Sequence, residues 1–120
     1  MKQTINVLVV EDNEYYNNLI FNALQQSTHF VQRKLKYRLV LHSFIDSSEC
    51  MQKIESREFI DNDVVAFVDY NMGNGISGPQ IIRSLKKENC NTLAVLLSQS
   101  RTIEERSTQN NYDFFVIKDT

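Results

Sequence analysis

The chain has 120 residues, a formal net charge of −2, 42% hydrophobic residues and 23% charged residues, which suits one compact domain spanning residues 1–120. The charge argues against nucleic-acid binding, which normally needs a basic face, and no apolar run approaches the roughly 20 residues of a membrane helix. The chain starts without a signal-peptide pattern, and Cys50 and Cys90 have no metal or disulfide spacing, so we expect a cytoplasmic domain with reduced thiols.

The first predicted elements are a buried strand and a helix. Residues 5–10 (INVLVV) form an almost continuous β-branched run, which is typical of a strand covered on both faces. Residues 14–24 predict a helix with Asp12 or Asn13 as its cap. Residues 25–36 are polar and basic, and they either extend this helix or form a long loop. The apolar side chains at helical spacing are Tyr16, Leu19, Ile20, Ala23 and Leu24. A basic cluster follows, which we expect to be a solvated face; it comprises Arg33, Lys34, Lys36 and Arg38.

The middle of the chain predicts two strands around a short helix. Residues 37–44 form the second strand. Asp46-Ser47-Ser48-Glu49 offers caps for a second helix that continues to about Ser56. Residues 63–69 (DVVAFVD) form the third strand, which is apolar until it ends in a carboxylate.

The last part of the chain predicts two more helices and two more strands. Residues 71–78 are a glycine-rich loop, and a third helix starts at Ser77-Gly78-Pro79, with Ile81, Ile82 and Leu85 as its inner stripe. Residues 93–97 form the fourth strand. Thr102-x-x-Glu105 resembles a capping box for a fourth helix of thin apolar content. Residues 112–117 form the fifth strand.

This alternation predicts an α/β fold with a doubly wound, five-stranded parallel sheet. The chain ends at Asp119-Thr120, so the fifth helix that would cover the last strand is missing from it. We expect either that the natural polypeptide continues or that another chain covers the exposed apolar face.

Residues with useful chemistry follow four of the five strands. In an open parallel sheet, ligands bind outside the carboxyl ends of the strands, near the point where strand order reverses. The first strand is followed by Glu11 and Asp12, the third ends in Asp69, the fourth is followed by Ser98 and the fifth by Lys118. If the first and third strands are neighbours, three carboxylates converge in one pocket.

Three carboxylates in one pocket predict a divalent cation. Two like charges about 4 Å apart repel by about 4 kcal/mol at an effective dielectric near 20, so either their pKa values rise or a cation lies between them. Mg²⁺ suits the pocket because it binds one or two carboxylates plus a phosphate oxygen. Lys118 would add a fixed positive charge as an anionic donor approaches. Asp69 is then placed to act as a nucleophile and form an acyl phosphate.

Each of these residues also has an ordinary structural explanation. Asp12 can be a helix cap, Asp69 a turn residue and Ser98 a turn hydroxyl. Lys118 can be a solvated charge near a chain terminus. The functional interpretation depends on all of them reaching one edge of one inferred sheet.

Four segments in this order resemble the response-regulator receiver family: VLVVEDN at 7–13, VAFVDYNM at 65–72, VLLSQS at 95–100 and FFVIKD at 114–119. Each segment alone is weak evidence for the family. Together they span nearly the whole chain, in the order and at the spacing that the family shows. The resemblance implies a flavodoxin-like sheet with strand order 2-1-3-4-5.

The resemblance also implies a role for each candidate residue. Asp69 would be the phosphoacceptor, Ser98 the switch hydroxyl that bonds a phosphoryl oxygen, and Lys118 the phosphate-contacting lysine. Phe115 would be the aromatic residue whose rotamer follows Ser98, with plain core packing as the alternative. The implied Mg²⁺ ligands are Asp12 and Asp69 directly, Glu11 through water and Asn71 through its backbone carbonyl.

The chain departs from the family pattern near the proposed pocket. Gly73 replaces the customary proline, so the loop gains conformational freedom. Gly78, which starts the third helix, lies one residue further along the chain than the corresponding glycine of the family. Gln99 stands where a small residue is usual, which would shield the pocket and slow exchange. Asp119 replaces the proline after Lys118, so we expect a trans peptide bond there.

The leading hypothesis is a signalling switch rather than an enzyme. A histidine kinase or a histidine phosphotransfer protein would phosphorylate it and so bias the surface of the fourth helix and fifth strand. The main alternative is a non-phosphorylated pseudo-receiver that acts as a docking or homodimerisation module. The altered loop, Gln99 and Asp119 favour this alternative, and the intact acidic set opposes it. A flavodoxin-like cofactor site is a third interpretation, weakened because the acidic residues 11–14 would repel a phosphate without a metal. The sequence does not identify the kinase or the output, and any effector domain lies outside this chain.

Overall fold

A computed structural model describes residues 3–73, 76–89, 91–99 and 112–118. These residues form five strands and three helices, in the order β1 (Gln3–Val10), α1 (Glu14–Lys34), β2 (Tyr37–Phe44), α2 (Ser47–Glu55), β3 (Asp63–Asp69), α3 (Gly78–Glu88), β4 (Thr92–Ser98) and β5 (Phe114–Ile117). The predicted fourth helix and the peptide bond between Lys118 and Asp119 lie outside the described residues.

The five strands form one parallel sheet in the order β2-β1-β3-β4-β5. This is the predicted doubly wound arrangement, and it makes β1 and β3 neighbours. Val10 pairs with both Phe44 and Val68, while Asp69 pairs with Leu97. The carboxyl ends of the strands therefore meet at one edge of the sheet.

One face of the sheet packs against α2 and α3 to form the main core. The predicted inner stripe of α3 is confirmed, since Ile81, Ile82 and Leu85 are at most 1% exposed. A capping box starts this helix: the Ser77 hydroxyl accepts a hydrogen bond from the backbone N–H of Gln80, whose side chain accepts from the Ser77 backbone. The strand residues in this core are Leu8, Val10, Phe44, Val64, Ala66, Val68, Ala94 and Leu96.

The opposite face is covered over β1 and β2 by α1, which runs to Lys34. Of the two alternatives for residues 25–36, the helix extension is the one observed. The predicted apolar stripe was partly wrong, because Leu19 is 55% exposed and Ala23 also faces solvent. The helix instead turns Asn17 inward, where its amide bonds two backbone carbonyls at the ends of β1 and β2. Those bonds fix the rotation of α1 about its axis.

The same face carries several exposed apolar side chains on the last two strands. Leu93, Phe114 and Val116 are 39%, 58% and 45% exposed. The predicted basic cluster is also solvated: its four side chains are exposed, and none joins a salt bridge among the described residues. None of the three described helices is long and apolar enough to cross a membrane.

Candidate functional site

The acidic residues after β1 lie at the carboxyl edge of the sheet. Glu11 continues the strand ladder by donating its backbone N–H to the carbonyl of Phe44 at 3.0 Å. Its side chain is fully buried. One carboxylate oxygen, Oε1, accepts a hydrogen bond from Lys118 Nζ at 2.8 Å, and Oε2 accepts from the backbone N–H of Asn13 at 3.1 Å. A buried charge is tolerated when it is paired and hydrogen-bonded in this way.

Asn17 holds this acidic segment in place. The side chain is 1% exposed, and its Nδ2 donates to the backbone carbonyls of Glu11 at 3.0 Å and Phe44 at 3.1 Å. The Ser43 hydroxyl donates to its Oδ1. Sequence reasoning missed this residue, although a polar side chain three residues before Ile20 on the inner face of a helix was a usable signal.

Asp69 ends β3 beside Glu11. It is 4% exposed, and its Oδ1 lies 3.1 Å from Lys118 Nζ. Burial and the negative charge of Glu11 together raise the pKa of Asp69 to about 7, against the opposing effect of the Lys118 ammonium. Asp69 is thus a buried carboxyl that titrates near neutral pH, which is typical of functional sites.

Lys118 follows β5 and bridges the two buried acids. Partial burial would lower its pKa, but the hydrogen bonds and charges of Glu11 and Asp69 outweigh burial and hold the pKa above its ordinary value. The Lys118 backbone N–H donates to the carbonyl of Ser98 at 2.8 Å. Ser98 is 5% exposed. The candidate hydroxyl and the candidate ammonium are thus held on adjacent strands of one sheet.

Asp12 completes the acidic cluster from the solvent side. The cap of α1 is Asn13, whose side chain accepts from the backbone N–H of Tyr16, so the alternative of Asp12 as the cap is wrong. Burial and the neighbouring Glu11 charge raise the pKa of Asp12. Oxygen atoms of Glu11, Asp12 and Asp69 all lie within 4.8 Å of one another. This set of hard oxygen donors fits a divalent cation such as Mg²⁺.

These residues line a cavity of about 360 Å³ at the carboxyl edge. Its wall contains every predicted site residue except Phe115, together with several that were not predicted; it comprises Glu11, Asp12, Asn13, Tyr16, Asp69, Tyr70, Asn71, Ser98, Gln99 and Lys118. Gln99 lies exposed in this wall. Phe115 is half-buried and packs against the core, with its ring 5.9 Å from that of Tyr112.

Two glycines let the loop after β3 approach the acidic residues. Gly73 has φ +64°, and a Cβ built on it would lie 3.1 Å from Asp12 Oδ2. Proline cannot adopt this angle, which accounts physically for the departure from the customary residue. Gly78 starts α3 against the backbone carbonyl of Asp69, where a Cβ would clash. Its late position in the sequence therefore still places the helix directly behind Asp69.

No protein-family model matches the sequence, and no curated protein matches it. Solved structures do match over almost the whole chain. The BeF₃-activated receiver domain of DrrB is 20% identical, with a TM-score of 0.68 over 100% of this chain and 87% of that chain. The response regulator TrrA from Thermotoga maritima, in complex with Mg²⁺ and BeF, is 22% identical, with a TM-score of 0.68 over 99% of this chain and 88% of that chain.

The isolated REC domain of RcsB from Salmonella enterica serovar Typhimurium, solved with phosphomimetic BeF₃⁻, is 17% identical, with a TM-score of 0.65 over 97% of this chain and 78% of that chain. These similarities extend across the described strands and helices. The chain therefore has the flavodoxin-like fold of response-regulator receiver domains, and the predicted resemblance is confirmed at the level of the fold.

Proposed function

We propose that this chain is a receiver domain of a two-component phosphorelay, in which Asp69 accepts a phosphoryl group with the help of Mg²⁺. The observation that carries the proposal is the convergence of three carboxylates around one cavity, with Lys118 joining Glu11 to Asp69. The beryllium fluoride in the DrrB and TrrA structures, and the Mg²⁺ in the latter, make the same chemistry a reasonable extension to this chain.

The residues that would hold Mg²⁺ are Asp12 and Asp69 directly, Glu11 through water and Asn71 through its backbone carbonyl. When bound, Mg²⁺ would neutralise carboxylate charge and coordinate a phosphoryl oxygen. The chain supplies the remaining interactions itself. Asn17 and the Asn13 backbone keep Glu11 fixed, and α3 supports Asp69 from behind.

Asp69 would act as the nucleophile. Its ionised carboxylate oxygen would attack the phosphorus of a phosphohistidine, the P–N bond would break, and the histidine would leave with the bonding electrons. Lys118, which carries three N–H donors, would contribute one to a phosphoryl oxygen, and Ser98 would contribute its hydroxyl. These donors would stabilise the charge on the transferred group.

The consequence would be a signalling switch rather than turnover of an external substrate. A histidine kinase or a histidine phosphotransfer protein in the same cytoplasmic compartment would be the donor. Movement of Ser98 toward the new oxygens, accompanied by Phe115, would then change the surface around β5 that partners or a second copy recognise.

The direct test is phosphorylation by acetyl phosphate with Mg²⁺, followed by intact-protein mass spectrometry. We expect the wild-type chain to gain one phosphoryl group that hydroxylamine removes, and Asp69→Asn to gain none. Asp63→Asn is the matched control, since Asp63 begins the same strand at the opposite edge of the sheet. The assignment of the acceptor is wrong if Asp69→Asn labels as fast as the wild-type chain.

The docking-module alternative makes a different prediction in the same experiment. A pseudo-receiver would stay unlabelled, and its melting temperature would not respond to Mg²⁺ with beryllium fluoride. A folded wild-type protein with neither response would favour that alternative.

A further inference from the structure

Tyr16 lines the same cavity as the acidic residues and takes no part in the phosphoryl transfer proposed above. It lies in the first turn of α1, and its ring forms part of the same wall as the acidic cluster. Lys118 Nζ is 4.8 Å from the centre of this ring. That distance is well within the range over which an ammonium is attracted to the negative face of an aromatic ring.

The local structure of α1 fixes the position of Tyr16. Its backbone N–H donates to the Asn13 side chain at 3.1 Å, and the next residue, Asn17, is anchored to the Glu11 carbonyl. The backbone that carries the Tyr16 ring is therefore tied to the same loop that carries the acidic residues.

The ring supplies Lys118 with a contact that the carboxylates do not. Glu11 and Asp69 bind the ammonium at 2.8 Å and 3.1 Å, but formation of the acyl phosphate would exchange the Asp69 carboxylate for a phosphoryl oxygen as the partner of Lys118. A lysine side chain has four flexible carbon–carbon bonds, so a further contact is needed to hold its head group in place during this exchange. The Tyr16 ring carries no formal charge, and its attraction for the ammonium does not depend on the charge carried by Asp69.

We propose that Tyr16 is a positioning residue that acts through Lys118 and keeps its ammonium inside the cavity during phosphoryl transfer. This inference rests on the proposed function. The attraction belongs to the face of the ring, so the phenolic hydroxyl is not required, and phenylalanine should replace tyrosine.

The contact itself can be tested in the metal-free protein, independently of phosphorylation. In a sample labelled with ¹³C at lysine Cε, the ring current of Tyr16 should shift the Lys118 CεH₂ signal upfield of the other lysines, with the signal assigned from its absence in Lys118→Arg. We expect Tyr16→Phe to keep this shift and Tyr16→Leu to remove it. Tyr15→Leu, at the exposed neighbouring position, should keep it. An unshifted Lys118 signal in the wild-type chain overturns the inference.

The functional arm measures the rate of labelling by acetyl phosphate with Mg²⁺. We expect Tyr16→Leu to slow labelling by about 3- to 30-fold, Tyr16→Phe to retain most of the rate, and Tyr15→Leu to stay within about twofold of wild type. Tyr16→Met serves as a second variant if the leucine protein does not fold, as checked by circular dichroism.

The two arms separate the inference from the proposed function. A wild-type chain that never labels contradicts the proposed function, while the NMR shift still decides whether Tyr16 holds Lys118. A labelling rate for Tyr16→Leu or Tyr16→Met equal to wild type overturns the positioning role. A rate for Tyr16→Phe as low as that of Tyr16→Leu also overturns it, because the ring alone would then be insufficient.

Discussion

Lys118 and Glu11 lie 107 positions apart in the chain, yet Lys118 Nζ and Glu11 Oε1 are 2.8 Å apart. The Glu11 side chain is fully buried, and that of Lys118 is 11% exposed. The pair thus joins the end of the first strand to the end of the last. Asp69 shares the same ammonium at 3.1 Å, so one cation compensates two buried acids.

We predict that removing this cation strongly destabilises the fold. Lys118→Met leaves Glu11 buried without its partner, which should lower the free energy of unfolding by about 3–5 kcal/mol at pH 7. Adding Glu11→Gln should recover much of the loss, because no uncompensated charge then remains at position 11. Urea denaturation of the two single variants and the double variant measures the coupling between the residues.

Lys86 provides the matched control for that cycle. It forms a salt bridge of the same 2.8 Å length with Asp113, but both side chains are partly exposed. Lys86→Met should therefore lower the free energy of unfolding by about 1 kcal/mol or less. Equal losses from Lys86→Met and Lys118→Met would contradict the importance assigned to burial.

A second prediction concerns the pH dependence of stability in the absence of metal. The folded chain holds a proton on Asp69 up to about pH 7, whereas the unfolded chain releases it near pH 4. Because the folded state binds more protons between these values, the contribution of Asp69 to the free energy of unfolding falls as pH rises through this window. The fall should total about 1–4 kcal/mol.

Urea denaturation from pH 4 to pH 8 isolates this contribution when wild type is compared with Asp69→Asn. The difference in stability, variant minus wild type, should grow with pH and level off above about pH 7. Asp63→Asn should not reproduce this change. A difference that stays constant across the range would show that Asp69 has an ordinary pKa.

A third prediction concerns Asn17. Asn17→Ala removes two hydrogen bonds to buried strand-end carbonyls and should lower the free energy of unfolding by about 1–3 kcal/mol. It should also weaken Mg²⁺ binding, because Glu11 loses its support. Asn18→Ala, at the exposed adjacent position, should change the free energy of unfolding and the Mg²⁺ affinity by much less. The measurements are urea denaturation and calorimetric titration with Mg²⁺, and equal effects at the two positions would count against the support role.

A fourth prediction concerns the loop after β3. Gly73→Pro introduces the residue customary in the family but cannot adopt φ +64°, and it removes the N–H that donates to Asn71 Oδ1. We expect Gly73→Pro to lower the free energy of unfolding by about 1–3 kcal/mol. Gly73→Ala should lower the free energy of unfolding by about 1–2 kcal/mol. It should also displace the Asp12 carboxylate, because the new Cβ would lie 3.1 Å from Asp12 Oδ2. Thermal unfolding with and without Mg²⁺ tests both variants. A Gly73→Pro variant as stable as wild type would rule out this explanation of the glycine at position 73.

Much of the fold could be predicted because the strands carry strong local signals. The apolar runs at 5–10, 37–44 and 63–69 each fall within an observed strand. The acidic cluster could be predicted too, since parallel strands bring their carboxyl ends to one edge whatever their separation in sequence. The strand order itself came from the resemblance, because local signals contain no information on which strands pair.

Other features depended on tertiary contacts that periodicity does not encode. The length of α1 was ambiguous, since residues 25–36 are polar on most sides. Its inward face was misassigned because Asn17 is polar, and hydrogen bonds rather than apolar burial turn it toward the sheet. The role of Tyr16 was missed for a similar reason: its partner Lys118 is brought close only when the sheet forms.

The central claim is that the carboxylates beside Lys118 hold a divalent cation. Paramagnetic broadening of assigned backbone amides by Mn²⁺ tests it most directly, because the broadening decreases steeply with distance from the ion. We expect substoichiometric Mn²⁺ to broaden the amides around Asp12 and Asp69 first, excess Mg²⁺ to restore them, and Asp12→Asn to abolish the effect. Broadening centred elsewhere, or none at all, would contradict the claim.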